Sequence, residues 1–102
     1  MTKYSTMDIS KHLDNEEVIA GYLEECSQDE NPDVFLCALA DVAKARGMTK
    51  VARDAGLGRE NLYNTLTPGS HPRYETINAV MRALGLKFTV VLDTEKETNV
   101  RL

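Results

Sequence analysis

The chain reads as a mainly α domain of five helices, with a helix-turn-helix at its centre and one β-strand near its C-terminal end. Three observations predict this. Apolar residues recur at helical spacing in separate stretches bounded by Gly, Pro and Asn. Two of these stretches meet in Val51-Ala52-Arg53-Asp54-Ala55-Gly56-Leu57-Gly58-Arg59-Glu60-Asn61-Leu62-Tyr63. There Ala52 and Gly56 are small where two short helices cross and the backbone must turn, while Val51, Leu57 and Leu62 supply an inner face. After Gly85 the period changes from helical to alternating.

The elements follow in order. Asp14 and Glu17 have the spacing of a capping box ahead of Val18, Ile19, Tyr22, Leu23 and Cys26, which predicts a helix over about 15–27. Asn31 as cap and Pro32 at the first helical position open a second helix. Its stripe is Phe35, Ala38, Leu39, Val42 and Ala43, and Gly47 ends it. Thr49 is the expected cap of a third helix over about 49–55. A fourth covers about 59–66 and stops at Thr67-Pro68-Gly69. Pro72 precedes a fifth over about 73–84, with Ile77, Val80, Met81 and Leu84 on one face and Gly85 closing it. Leu86 to Leu92 is β-branched and aromatic, with Leu86, Phe88, Val90 and Leu92 on one side. A lone strand leaves its backbone unpaired, so these four residues are expected to pair with a copy of the chain in a dimer or with another protein. Residues 1–92 thus form one domain with an N-terminal helical extension, and 93–102 a charged tail.

Composition narrows the function. With 102 residues, 42% hydrophobic and 27% charged, the chain suits one domain with one modest core. No apolar run reaches the length of a membrane span, and Met1 to Asp14 has no apolar signal stretch, so a cytosolic protein is expected. Cys26 and Cys37 lie in helical stretches without metal-ligand spacing and read as small core residues, not a disulfide. His12 and His71 are remote from any Cys, and the glycines at 56 and 58 lack the Lys-Ser/Thr of a phosphate loop. No enzyme activity, cofactor or metal is expected.

The net charge of −4 divides unevenly. Residues 1–43 carry −8. Residues 44–82 carry +4 from Lys44, Arg46, Lys50, Arg53, Arg59, Arg73 and Arg82 against Asp54, Glu60 and Glu75. The positive block coincides with the helix-turn-helix, where phosphate neutralisation would be needed. If Leu62 and Leu66 face inward, Arg59, Glu60, Asn61, Tyr63 and Asn64 face out as candidate base contacts. Arg suits guanine and Asn suits adenine as bidentate partners; Glu60 could accept from cytosine or orient Arg59. Thr49, Lys50, Arg53, Ser70, His71 and Arg73 are candidate phosphate contacts that set register without reading sequence.

The run from Leu39 to Met48, then Val51-Ala52, Gly56-Leu57 and Arg59-Glu60-Asn61-Leu62-Tyr63, resembles the addiction-module antidote family. Its members are HigA-like antitoxins of the Xre group, with a lambda-repressor-like fold. Leu66, Gly69, Pro72, Thr76 and Ala83-Leu84-Gly85-Leu86 continue the match, and the opening from Tyr4 to Leu23, including Asp8, resembles the family's own. The sequence departs from the family at Gly58 (usually Ser), His71 (usually Asn) and Thr65 (usually apolar). The resemblance implies a dimeric antitoxin that neutralises a toxin of the RelE/ParE superfamily and represses its own operon. It also implies a basic, RNA-cleaving partner. The acidic surface of Asp14, Glu16, Glu17, Glu24, Glu25, Asp29 and Glu30 would steer such a partner, with Glu16, Glu17, Glu24 and Glu25 as the candidate toxin-binding residues. A stand-alone prophage-type regulator without a toxin, and an interaction module that does not bind DNA, stay open as alternatives.

Overall fold

In the computed structural model, which describes residues 15–94, five helices follow one another: α1 (Glu16–Ser27), α2 (Pro32–Arg46), α3 (Met48–Ala55), α4 (Arg59–Thr65) and α5 (Tyr74–Ala83). The mainly helical class and the five-helix order agree with the reading of the sequence. None of these helices is long and apolar enough to cross a membrane. The opening segment with Asp8, His12 and Asp14, and the tail from residue 95, lie outside the described residues.

The helix starts come from short polar side chains. Asn15 Oδ1 accepts from the backbone N–H of Glu17 (2.9 Å) and Val18 (3.1 Å), so Asn15 rather than Asp14 caps α1. Because α1 begins at Glu16, the residue one step ahead is the one whose oxygen reaches the unpaired donors. Asn31 Oδ1 accepts from Asp33 N (2.9 Å) in the expected way, with Pro32 in the first turn. Thr49 does not cap α3. The helix starts at Met48 directly after Gly47, whose carbonyl accepts from Val51 N at 3.0 Å. Met48 is buried, and drawing it into the core winds the chain one residue earlier than the capping pattern indicates. Gly47 makes this loopless junction possible, at φ 103.

The core is assembled from one stripe on each helix. These are Ile19 and Leu23; Leu36, Leu39, Val42 and Ala43; Met48, Val51 and Ala52; Leu62 with Leu66; and Ile77, Val80, Met81 and Leu84. α1 packs on α2, and α3 lies at the centre against α2, α4 and α5. Among the described residues no polar or charged side chain is buried, so burial of apolar area is the dominant stabilising contribution. Cys26 packs partly against this core, but Cys37 is exposed, which corrects its assignment as a core residue. On α2 the inner face is completed by Leu36 instead.

No strand forms among the described residues, so Leu86, Phe88, Val90 and Leu92 are not the strand residues that their alternation indicates. The physical reason is pairing. Leu86 N donates to Met81 O (2.9 Å) and Gly85 N to Arg82 O (2.9 Å), with Gly85 at φ 80, so Leu86 completes the closing turn of α5. Beyond it, the backbone of residues 87–92 meets no backbone partner within the described chain. Phe88 instead sets its ring 6.2 Å from that of Phe35 and 5.8 Å from that of Tyr74.

On the α1–α2 contact, the Tyr22 hydroxyl donates to Asp41 Oδ2 at 3.4 Å. Partial burial, and next the Asp41 carboxylate, push the Tyr22 phenol up to about 12. The folded pKa thus exceeds the ordinary value of 10.0. The contribution of Tyr22 to stability is complete below pH 10 and is lost as pH rises through about 12, because the unfolded chain ionises first. We expect a tyrosinate absorbance titration to show one group ionising later than the rest. We also expect Tyr22→Phe to flatten the alkaline fall in denaturant midpoint between about pH 9 and about pH 12, a window that brackets those two values.

Candidate nucleic-acid interface

The turn between α3 and α4 is built by the backbone. Gly56 adopts φ 76, ψ 28, and beyond it Leu57 N donates to Ala52 O (2.8 Å) while Gly56 N donates to Arg53 O (3.1 Å). This pair of bonds closes the helix as a Schellman turn, and Leu57 then packs on the edge of the core. Gly58 caps α4 through its backbone only, with Leu62 N donating to Gly58 O at 3.0 Å. Leu62 is fully buried and Leu66 nearly so. Their insertion turns Arg59, Glu60, Asn61, Tyr63 and Asn64 to solvent, on one polar surface as anticipated. Thr65 is half-buried, and Leu66 takes the inward role.

Arg59 is oriented by an aromatic ring. Its guanidinium carbon lies 5.5 Å from the centroid of Tyr63, one helical turn on. Among the described residues Arg59 forms no ion pair with Glu60, so the suggestion that Glu60 orients it is corrected. The spacing of four residues between Arg59 and Tyr63 was the signal for this contact. A cation–π contact of this kind occupies no acceptor for the guanidinium N–H groups and leaves them able to donate.

The candidate phosphate contacts differ in availability. Thr49, Lys50 and Arg53 are exposed on α3. Lys50 Nζ lies 3.1 Å from Asp54 Oδ2, and Arg53 Nε 3.6 Å from Asp54 Oδ1. The hydrogen bond from Lys50, aided by both cationic charges, holds the Asp54 carboxyl below its usual range. Asp54 is thus an internal anion occupying donors that a phosphate would need. Arg73, exposed, pairs with Glu75 at 3.6 Å. The Ser70 hydroxyl donates to Thr65 O at 2.7 Å, so its proton closes the end of α4. Gly69 N donates to Asp33 Oδ1 at 3.0 Å, tying this loop to the start of α2; the separation of 36 residues hid that bond from sequence reading. The positive block is also dispersed: Lys44 and Arg46 close α2 and Arg82 closes α5, where helix carbonyls favour cations.

His71 adopts φ 52, the one non-glycine residue with positive φ among those described. Asn adopts this conformation more readily than most non-glycine residues, because its short amide can hydrogen-bond locally. At Gly58 a built Cβ would meet nothing closer than Asn61 Nδ2 at 4.0 Å, so a Ser fits and adds the missing cap acceptor. We expect Gly58→Ser and His71→Asn each to stabilise the fold by about 0.5 kcal/mol. Thermal unfolding should show a rise of roughly 2–4 °C for each, close to additive in the double variant.

Of the acidic residues on α1, Glu16, Glu17 and Glu24 are exposed and Glu25 is half-buried. They lie on a different helix from the α3–α4 surface, and α1 packs on α2. Residues 3–92 match the family model described as "Probable addiction module antidote protein". The chain is 46% identical over 83 residues to an uncharacterized protein of Haemophilus influenzae, a match covering 81% of this chain and 86% of that one. No solved structure matches it. A match that covers all five helices and extends beyond them at both ends shows that the chain belongs to the addiction module antidote family.

Proposed function

We propose that this antidote is a HigA-like antitoxin of the Xre group that binds operator DNA through α4, represses its own operon as a homodimer and neutralises a toxin of the RelE/ParE type in the cytosol. It acts by binding and not by catalysis. The observation that carries the DNA part is the α3–turn–α4 unit, in which two inward leucines present five polar and aromatic side chains to solvent. In this reading Arg59, Asn61 and Asn64 donate to base edges, Glu60 accepts from cytosine, and Tyr63 steers Arg59. Thr49, Lys50, Arg53, His71 and Arg73 contact phosphates. Ser70, whose proton is directed to Thr65 O, contributes by shaping the loop. Lys50 and Arg53 exchange Asp54 for a phosphate when DNA arrives, so Asp54 lowers affinity for every sequence alike.

The experiment is a fluorescence-anisotropy titration against DNA from upstream of the protein's own gene. Arg59→Ala should cost about 1–3 kcal/mol at the operator and relax preference at one base pair. Lys50→Ala should weaken binding to all sequences and reduce the salt slope by about one. Asp54→Asn should strengthen binding to all sequences by roughly two- to fivefold, an effect that fades as salt rises. Arg59→Ala binding the operator as tightly as wild type would remove Arg59 from the recognition surface.

The toxin part is supported by family membership, since an antidote requires a toxin, and by the −8 charge of residues 1–43. The exposed carboxylates of Glu16, Glu17 and Glu24, with Glu25 beside them, attract a basic toxin and leave the α3–α4 surface to DNA. Reversing Glu16, Glu17, Glu24 and Glu25 to Lys should slow toxin association sharply at low salt with the helical circular dichroism unchanged. An unaltered association rate and salt dependence would move the toxin surface elsewhere.

A further inference from the structure

An open groove of about 610 Å³ lies between the end of α1, the start of α2 and the loop ahead of α5. Its apolar lining is Phe35 and Phe88, with ring centroids 6.2 Å apart, beside Leu36 and Pro72. Past Phe88 the apolar surface continues to Tyr74, 70% exposed, whose ring lies 5.8 Å from that of Phe88. Asp29, Glu30 and Asp33 share the lining. No Lys or Arg lines the groove, and His71 is the one lining group able to carry positive charge. None of the three carboxylates forms an ion pair among the described residues. Two are held in place by the backbone: Asp29 Oδ1 accepts from Asn31 N (2.8 Å) and Asp33 Oδ1 from Gly69 N (3.0 Å). Each keeps a second oxygen for a partner.

The chemistry of the lining selects the occupant. Three carboxylates without a cation repel phosphate, so the groove is no extension of the α3–α4 surface toward DNA. An apolar side chain alone would strip water from those carboxylates and give nothing back. A guanidinium suits both halves of the lining. Its flat, weakly hydrated face stacks on aromatic rings while its N–H groups fork onto carboxylates. We propose that the antidote holds its toxin in this groove, through an arginine-bearing segment whose apolar neighbours cover Phe35 and Phe88. An antidote requires a toxin, and the cation-free groove is complementary to a basic one. The inference rests on the toxin reading above and divides the acidic end of the chain by task. The glutamates of α1 attract the toxin at a distance, whereas the groove beyond the end of that helix retains it.

The test follows binding of the full chain to the toxin of the same addiction module by surface plasmon resonance, at several salt concentrations. Asp29→Asn, Glu30→Gln and Asp33→Asn together remove the charge and keep the side-chain oxygens that accept from Asn31 N and Gly69 N. This triple variant should dissociate about tenfold faster, with a shallower dependence on salt. Phe88→Ala should also dissociate about tenfold faster, with the salt dependence unchanged. Helical circular dichroism should match wild type in both. Reversal of the four α1 glutamates should instead slow association and leave dissociation close to wild type. A toxin that leaves wild type and both groove variants at the same rate overturns the groove and leaves the toxin reading standing. A toxin that does not bind wild type overturns both. Unaltered toxin rates with a lowered melting temperature would give the groove to the chain's own residues, and with a changed sedimentation mass to a second copy; either overturns the inference.

Discussion

The seating of Leu62 is the constraint on which the candidate DNA surface depends. α4 has seven residues, far too few to hold helical structure in water without tertiary contacts. It has no side-chain cap, and its first turn rests on the Gly58 carbonyl alone. What orients it is the insertion of Leu62, with Leu66 one turn later, into the shared core. The left-handed Gly56 then sets the angle at which the chain arrives. Every outward direction on α4 follows from those two features, so removing the Leu62 side chain would scatter five side chains at once.

Electrostatics acts on this frame with local restraint. The cations nearest the turn are partly neutralised by Asp54, and Arg73 by Glu75. Such exposed pairs contribute little to stability, yet they decide how much positive potential a phosphate meets. A protein whose surface cations are internally paired binds DNA indiscriminately less well. In the proposed reading greater weight then falls on the base contacts proposed for Arg59, whose contact with the Tyr63 ring would reduce the freedom lost on docking. The acidic α1 and the cationic turn lie on different elements, so the two binding activities proposed for an antidote need not compete for the same side chains.

The helices were legible because apolar spacing is a local property with a global consequence: each stripe found in the sequence is a stripe in the core. Cap positions were less legible. Asp14, Asn15 and Thr49 are all competent cap residues, and only the residue at which the helix starts selects among them. Cys37 followed the helical spacing of α2 and still faces outward, because the inner face was already filled by Leu36 and its neighbours. The Asp33–Gly69 bond and the positive φ of His71 left no local trace.

By itself the sequence determined the helical class, the two short helices joined at Gly56, the inward leucines and the segregation of charge, because each is written in spacing and composition over a few turns. Only the tertiary structure decided which polar side chains are spent internally, as with Lys50 on Asp54, Ser70 on Thr65 O and Arg59 on Tyr63. It also decided that Leu86 to Leu92 forms no strand within the described chain. β-propensity states what a segment can do, whereas a ladder exists only where a second backbone lies alongside, and in this fold the described residues provide none.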